Sequence, residues 1–334
     1  MANVNVPTPT SAIGDGAVRA IPAVPAKSRV QRMAGGFKRN WQLYAMLALP
    51  LAWLIIYQYV PMFGAQIAFR DYRPQGGFAG LYQAEWVGLE HFRRFFDLPN
   101  FWTVLSNTLV LNLYALIAGF PLPIILALAL NYVGKVWFRR TVQLVSYAPH
   151  FISVVVIVGM LFLFVSRDGF VVQILEVFGY EGGGLMEKPQ YWKSLYVWSG
   201  VWQSLGFSAI IYLAALAGVD PTLHEAAILD GANKLQRMRD IDLPGIMPVA
   251  MILLILNMGT LLSTGFEKVL LMQNPLNMST SEVIDTLVYR LAFDSPFPQF
   301  ALATAVGLFK GVIGLILLVA VNQLARRLKQ TSLF

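Results

Sequence analysis

Read only for hydrophobic and polar positions, the chain alternates between long apolar runs and shorter polar segments. Runs of roughly 20 apolar residues, the length a helix needs to cross a hydrocarbon layer, lie at about Trp41 to Phe63, Trp102 to Val133, Val142 to Val165, Trp192 to Val219, Gly245 to Phe266 and Phe300 to Gln323. The pattern predicts an all-α integral membrane protein with six transmembrane helices. The second run is long for one helix and contains Gly119, Pro121 and Pro123, so a re-entrant hairpin must be weighed against a bent crossing. A turn at Gly119 would invert every later segment against the basic C-terminus. One long, bent crossing is expected, since proline is tolerated where neighbours satisfy the freed carbonyls.

Composition supports the membrane assignment. With 57% hydrophobic and 13% charged residues and a mean hydropathy of +0.59, the apolar surface exceeds what one soluble core buries. The net charge of +7 matters less than its placement. Arg19, Lys27, Arg29, Arg32, Lys38 and Arg39 precede the first run, Lys135, Arg139 and Arg140 follow the second, and Arg326, Arg327 and Lys329 follow the sixth. By the positive-inside rule these segments, and both termini, are cytoplasmic. Residues 1–40 read as a disordered cytoplasmic tail and 41–334 as the transmembrane domain. The intervening segments Gly64 to Asn100, Ser166 to Tyr191 and Glu267 to Gln299 mix both signs and are mildly acidic, offering no basic funnel to an anionic solute. Cysteine is absent and His91, His150 and His224 are scattered. No catalytic group or metal site is expected.

Between the fourth and fifth runs lies a polar loop, residues 220–244. Asp220 can cap a short helix whose first position is Pro221, where a missing N–H costs nothing. Gly231 lets the chain leave that helix in a left-handed conformation. A second amphipathic turn, Asn233 to Asp240, follows, and Pro244 marks the start of the next span. Such a loop could simply join two spans. Glu225, Ala226, Ala227, Gly231, Ile241, Leu243 and Pro244, however, match E-A-A-x3-G-x9-I-x-L-P at every fixed position. The loop resembles that of binding-protein-dependent ABC import permeases. From about Phe37 onward the chain is similar to the LplB-like permeases of the carbohydrate uptake group. The stretches Val60 to Asp71, Trp86 to Phe92, Ser146 to Ser153, Val283 to Arg290 and Ala303 to Leu315 carry the likeness. Overall similarity is greatest to alginate importers, although no residue names the sugar.

The resemblance implies a type I ABC importer permease fold in the bacterial inner membrane. It implies a second, related permease completing the path, an ATPase dimer that holds ATP and magnesium and receives the loop, and an extracytoplasmic solute-binding protein. No cofactor is expected on this chain, where G-x-x-x-x-G-K-[ST] does not occur. Nucleic acid is not an expected partner; membrane lipid and a saccharide are. In the loop, small Ala226 and Ala227 permit close approach to a partner. Glu225 and Asp230 offer charges to it, although either would also serve as a solvated helix charge.

Polar groups within the apolar runs are costly and mark either a path or a helix contact. The candidates are Asn107, Asn112, His150, Ser153, Gln203, Ser204, Asn257, Ser263, Thr264 and Lys310. Sugar sites combine amides with aromatic faces, which adds Trp198, Trp202, Phe207 and Tyr212 beside Gln203. In related maltose permeases substrate contacts come from the spans flanking the loop, which favours Trp202 to Tyr212, Asn257 and Thr264. Lys310 is the one unambiguous charge well inside a run, and either pairs, snorkels or faces a cavity. Gly307, Gly311 and Gly314 read as a helix-contact surface. A secondary transporter would instead show internal repeats and coupling carboxylates within the runs, which are absent. A membrane-bound glycan- or lipid-modifying enzyme would need clustered acidic or histidine residues. The topology is tested by reporter fusions at Gly182 and Asn274: both are expected to read external, and a cytoplasmic signal at either refutes six crossings in this orientation.

Overall fold

The computed structural model describes residues 40–327. The expected disordered tail lies outside the described residues except for Asn40. Among the described residues six helices are long and apolar enough to cross a membrane: Trp41–Phe69, Phe101–Asn131, Val154–Val177, Pro189–Leu216, Lys234–Gly259 and Phe300–Arg327. The chain divides into two units, Met1–Met62 and Phe63–Phe334. The first contains helix α1 (Trp41–Leu54), with Pro50 inside it and no buried residue.

The second unit carries the rest. Helix α2 (Glu90–Phe96) precedes a second span built from α3 (Phe101–Gly119) and α4 (Pro121–Asn131). The two run on as one 31-residue helix rather than a hairpin, because Pro121 falls at the first position of α4, where its missing donor is harmless. Next come α5 (Val136–Tyr147), α6 (Val154–Val165), α7 (Phe170–Val177) and the long α8 (Pro189–Leu216). The loop helices α9 (Pro221–Leu229) and α10 (Lys234–Arg237) lead into α11 (Leu243–Gly259). Short helices α12 (Phe266–Met272), α13 (Met278–Ser281) and α14 (Ile284–Phe293) close the opposite end before α15 (Phe300–Arg327).

Two spans differ from the sequence expectation. The third does not begin at Val142: Pro149 ends α5 in a 3₁₀ turn, Ala148–Phe151, and the spanning helix starts at Val154, capped by Ser153. Gln203 Nε2 on α8 donates to Ile152 O at 3.1 Å, so a neighbouring helix answers the carbonyl that the break exposes. The fifth does not begin at Gly245. A π-helical turn, Met238–Asp242, carries the helix from Lys234 through Pro244, because the wider turn spares the bond that proline cannot donate. The helix ends at Gly259, which leaves Thr264 in the loop beyond it and brings Asp240 and Asp242 into the helix.

Helix α8 is the hub, in contact with α3, α4, α5, α11, α12 and α13. One apolar cluster joins Leu111, Val158, Trp192, Val197 and Met272. A second gathers Phe95, Phe101, Ile284, Leu302 and Val306 around α15. A third, at the end bearing the 220–244 loop, joins Leu128, Tyr212, Leu216 and Ile246. Asn277, fully buried, donates to Met186 O and Met272 O, both at 3.0 Å, and accepts from Ser281 Oγ at 2.9 Å. Trp192 Nε1 also donates to Met272 O, at 3.1 Å. These bonds tie the segment before α8, α8 itself and the end of α12 together at the end opposite the loop.

Of the three glycines read as helix contact on α15, only Gly314 serves: a Cβ there would lie 2.9 Å from Gly259 O, while Gly307 and Gly311 face open space. The closest helix approach is at Gly206, where a Cβ would stand 2.3 Å from Ser146 O. Replacing Gly206 by valine is expected to destabilise the detergent-solubilised chain by about 2 kcal/mol or more, an overpacking cost borne by rigid backbone. Gly311→Val serves as the control. Thermal unfolding distinguishes them, and equal melting points would refute the close crossing.

Candidate functional site

The loop residues are set by local capping chemistry. Asp220 Oδ1 accepts from Thr222 N at 2.9 Å, which holds the carboxyl below its usual range. Helix α9 ends with Ala232 N donating to Ala227 O at 2.8 Å and Gly231 at φ +82°, a left-handed C-terminus. Asn233 and Gln236 form a capping box, with N–H to side-chain distances of 2.8 and 2.9 Å. Glu225, Ala226, Asp230, Gly231 and Pro244 are exposed, and Ala227, Ile241 and Leu243 are half-buried. Leu223, Ile228, Leu229 and Leu235 are also exposed, Leu229 by 89%.

The path candidates separate into groups. Ser204, Tyr212 and Asn257 line one cavity of about 410 Å³ with Asn112, Ser208, Thr260 and Ser263. Gln203 and Ser204 line a second, of about 630 Å³, with Tyr196, Gly265, Glu267 and Lys268. Ala115, Gly119 and Ser204 border both, so the two spaces meet at the bend of the second span. Trp198 and Trp202 are not in this space. They face a separate apolar cavity of about 570 Å³ with Phe164 and Leu195, and Trp198 Nε1 donates to Tyr114 Oη at 2.9 Å. His150 and Phe207 stack on each other, ring centroids 3.9 Å apart, and line none of these cavities. Asn107 is a helix tie, donating to Ser279 O at 3.0 Å and accepting from Lys193 Nζ at 2.9 Å.

Lys310 pairs with Asp285. The other oxygen of Asp285 accepts from both the N–H and the hydroxyl of Thr264, each at 3.0 Å. Thr264 and Lys310 therefore share one network that anchors the loop ending the fifth span, and neither lines the cavities described above. Asp285 belongs to a segment that sequence placed outside the membrane, so no periodicity linked it to Lys310.

Residues 119–330 match the family described as the inner membrane component of binding-protein-dependent transport systems. The chain belongs to this family. The permease is 40% identical to the polygalacturonan/rhamnogalacturonan transport system permease protein YteP of Bacillus subtilis (strain 168), over 94% of this chain and 98% of that one. It is 39% identical to protein LplB of the same organism, over 95% and 98%. A chain of the crystal structure of a bacterial alginate ABC transporter, in complex with an alginate pentasaccharide-bound periplasmic protein, matches with a TM-score of 0.81 and 35% identity, covering 90% of this chain and all of that one. The permease is therefore an inner-membrane transport component, and its resemblance to LplB and the six-helix importer fold hold.

One part of the permease's loop was invisible in sequence. Asp242, the variable position of the I-x-L-P match, is 0% exposed. It accepts from Tyr132 Oη at the end of the second span at 2.5 Å. His224 Nε2, beside Glu225 on α9, lies 3.2 Å from its other oxygen, off the line of a good hydrogen bond. The Arg237 guanidinium lies 5.8 Å from the centroid of the Tyr132 ring. One buried carboxylate thus binds α9, the fifth span and the second span together. Asp242→Ala strands two polar partners and is expected to cost about 1–3 kcal/mol and to open the 229–233 turn to protease. Asp240→Ala removes only the exposed pair with adjacent Arg239, which solvent screens, and is expected to leave the melting curve unchanged. Melting curves and limited proteolysis check both; an unchanged Asp242→Ala variant refutes the tie.

Proposed function

We propose that this chain is one of two permease subunits lining the path of an ABC importer for acidic oligo- or polysaccharides. A separate ATPase dimer, carrying ATP and magnesium, docks on the 220–244 loop. An extracytoplasmic binding protein delivers the sugar, and both termini and the loop are cytoplasmic. The observation that carries the reading is the surface of the loop. Glu225 and Asp230 stand among exposed Leu223, Ile228, Leu229 and Leu235, and such an apolar patch rimmed by charge fits a partner protein.

The geometry suits coupling. Helix α9 is fixed at its start by Asp220, at its end by Gly231, and to two spans by Asp242. A force applied to α9 passes into the 26-residue helix Lys234–Gly259, whose far end supplies Asn257 to the smaller cavity. A tilt driven by ATPase closure therefore moves a wall of the path. The amides and hydroxyls of Asn112, Gln203, Ser204, Ser208 and Asn257 suit sugar hydroxyls. Polygalacturonan and alginate, in the names of the relatives, are uronate polymers, which supports an acidic saccharide as cargo.

A Cβ at Gly231 meets no atom within 4 Å, so substitution there acts through backbone conformation alone. Gly231→Val is expected to cost roughly 1 kcal/mol or more at positive φ and to swing α9 away. Gly231→Asn, which tolerates that conformation, is expected to couple normally. Glu225→Lys should weaken docking without disturbing insertion. Co-purification of the ATPase and stimulated ATP hydrolysis in vesicles provide the readout. Near-normal values for both Gly231→Val and Glu225→Lys would reduce the loop to a connector and remove the main support for this function.

A further inference from the structure

Several lysines and arginines at and beyond the spans' ends opposite the loop are withdrawn from solvent in part or in full, and most have evident partners. Lys310 pairs with Asp285, Arg290 with Glu282, and Lys193 donates to the Asn107 side chain. Lys268 is different. It is only 7% exposed and sits in no ion pair among the described residues. Its Nζ donates to Tyr196 O at 3.0 Å and lies 5.0 Å from the centroid of the Tyr196 ring. A carbonyl and a ring face are weak compensation for a buried ammonium. Burial accordingly pushes the amine down to about 8.

The position of this amine is informative. Lys268 lines the larger cavity together with Gln203, Ser204 and Glu267, and that cavity shares a wall with the polar space holding Asn112 and Asn257. Gly200 on α8 lines the same cavity, 3.4 Å from Nζ at the position a Cβ would take. A cation in a partly dry wall, with hydroxyl-binding groups beside it, matches a sugar that bears a carboxylate.

We propose that Lys268 is the specificity-determining group of the path, taking the carboxylate of a uronate unit while Gln203 and Ser204 bond its hydroxyls. The assignment rests on the saccharide-import reading above. Glu267, exposed on the same cavity, keeps the local charge near neutral, so a uronate is held weakly enough to leave. A path needs that balance. Acid selectivity then resides in one amine at the cavity wall, which reconciles an acidic cargo with the mildly acidic outer segments.

The test uses the complete importer in vesicles, with both permeases, the ATPase and the binding protein. Its probes are a galacturonate pentasaccharide and the same compound with its carboxyls methyl-esterified. Lys268→Met is expected to lower uptake of the acid about tenfold or more, the scale for losing one partner of a desolvated charge pair, while uptake of the ester stays within about twofold. Equal losses for acid and ester would make Lys268 a structural residue and overturn the proposal, as would an unchanged Lys268→Met importer. If the unaltered importer moves neither compound, the saccharide reading itself falls, and this assignment with it.

Discussion

A helix that breaks inside a hydrocarbon layer releases backbone groups that water cannot reach, so another part of the protein must satisfy them. Much of this permease is organised by that demand. The break at Pro149 is answered by Gln203 from the hub helix. The loop after Gly259 is answered by Asp285, which accepts from Thr264 N–H, and by Tyr196, whose hydroxyl accepts from Gly265 N–H at 3.1 Å. Because each partner comes from a different helix, every break also becomes a clamp between helices. The same breaks remove side-chain bulk from the bundle. Val154 and Gly265 border the larger cavity, and Thr260 and Ser263 border the smaller.

The two ends of the second unit are built by different means. The end opposite the loop is tied by amides and ion pairs among short helices, with Asn277 fully saturated at its centre. The loop end has one buried carboxylate, Asp242, between three elements, and leaves its outer apolar residues uncovered. A fixed core under an open surface is the arrangement expected where force enters from a second chain. The fifth span runs as one helix from that surface to the cavity, so a displacement at the loop is carried toward the cavity.

Six crossings, the single bent second span, the capped α9 and its glycine exit were all legible in the sequence. They depend on local rules: run length, proline position, and the backbone freedom of Gly231. The limits of the third and fifth spans were not. Hydropathy continues smoothly across Pro149, and Pro244 looks like a helix start until a π-helical turn carries the helix past it. The substrate candidates were drawn as polar and aromatic types near the loop. The helix phase then sent Ser204 and Tyr212 toward the cavity and Trp198 and Trp202 to an apolar pocket.

The sequence by itself determined that the chain crosses a membrane and how often, and it marked the loop proposed to couple. Those properties are written in stretches of contiguous residues whose burial in lipid or in a partner surface is a local matter. Only the tertiary structure decided which polar groups are spent on structure and which remain for a ligand. Lys310 and Lys268 are the same residue type, each withdrawn from solvent in part or in full. One is neutralised by Asp285, 25 positions away, and the other lines a cavity and forms no ion pair among the described residues. Charge pairing in a low-dielectric interior depends on angstrom-scale proximity between distant segments, and that proximity exists only in the folded bundle.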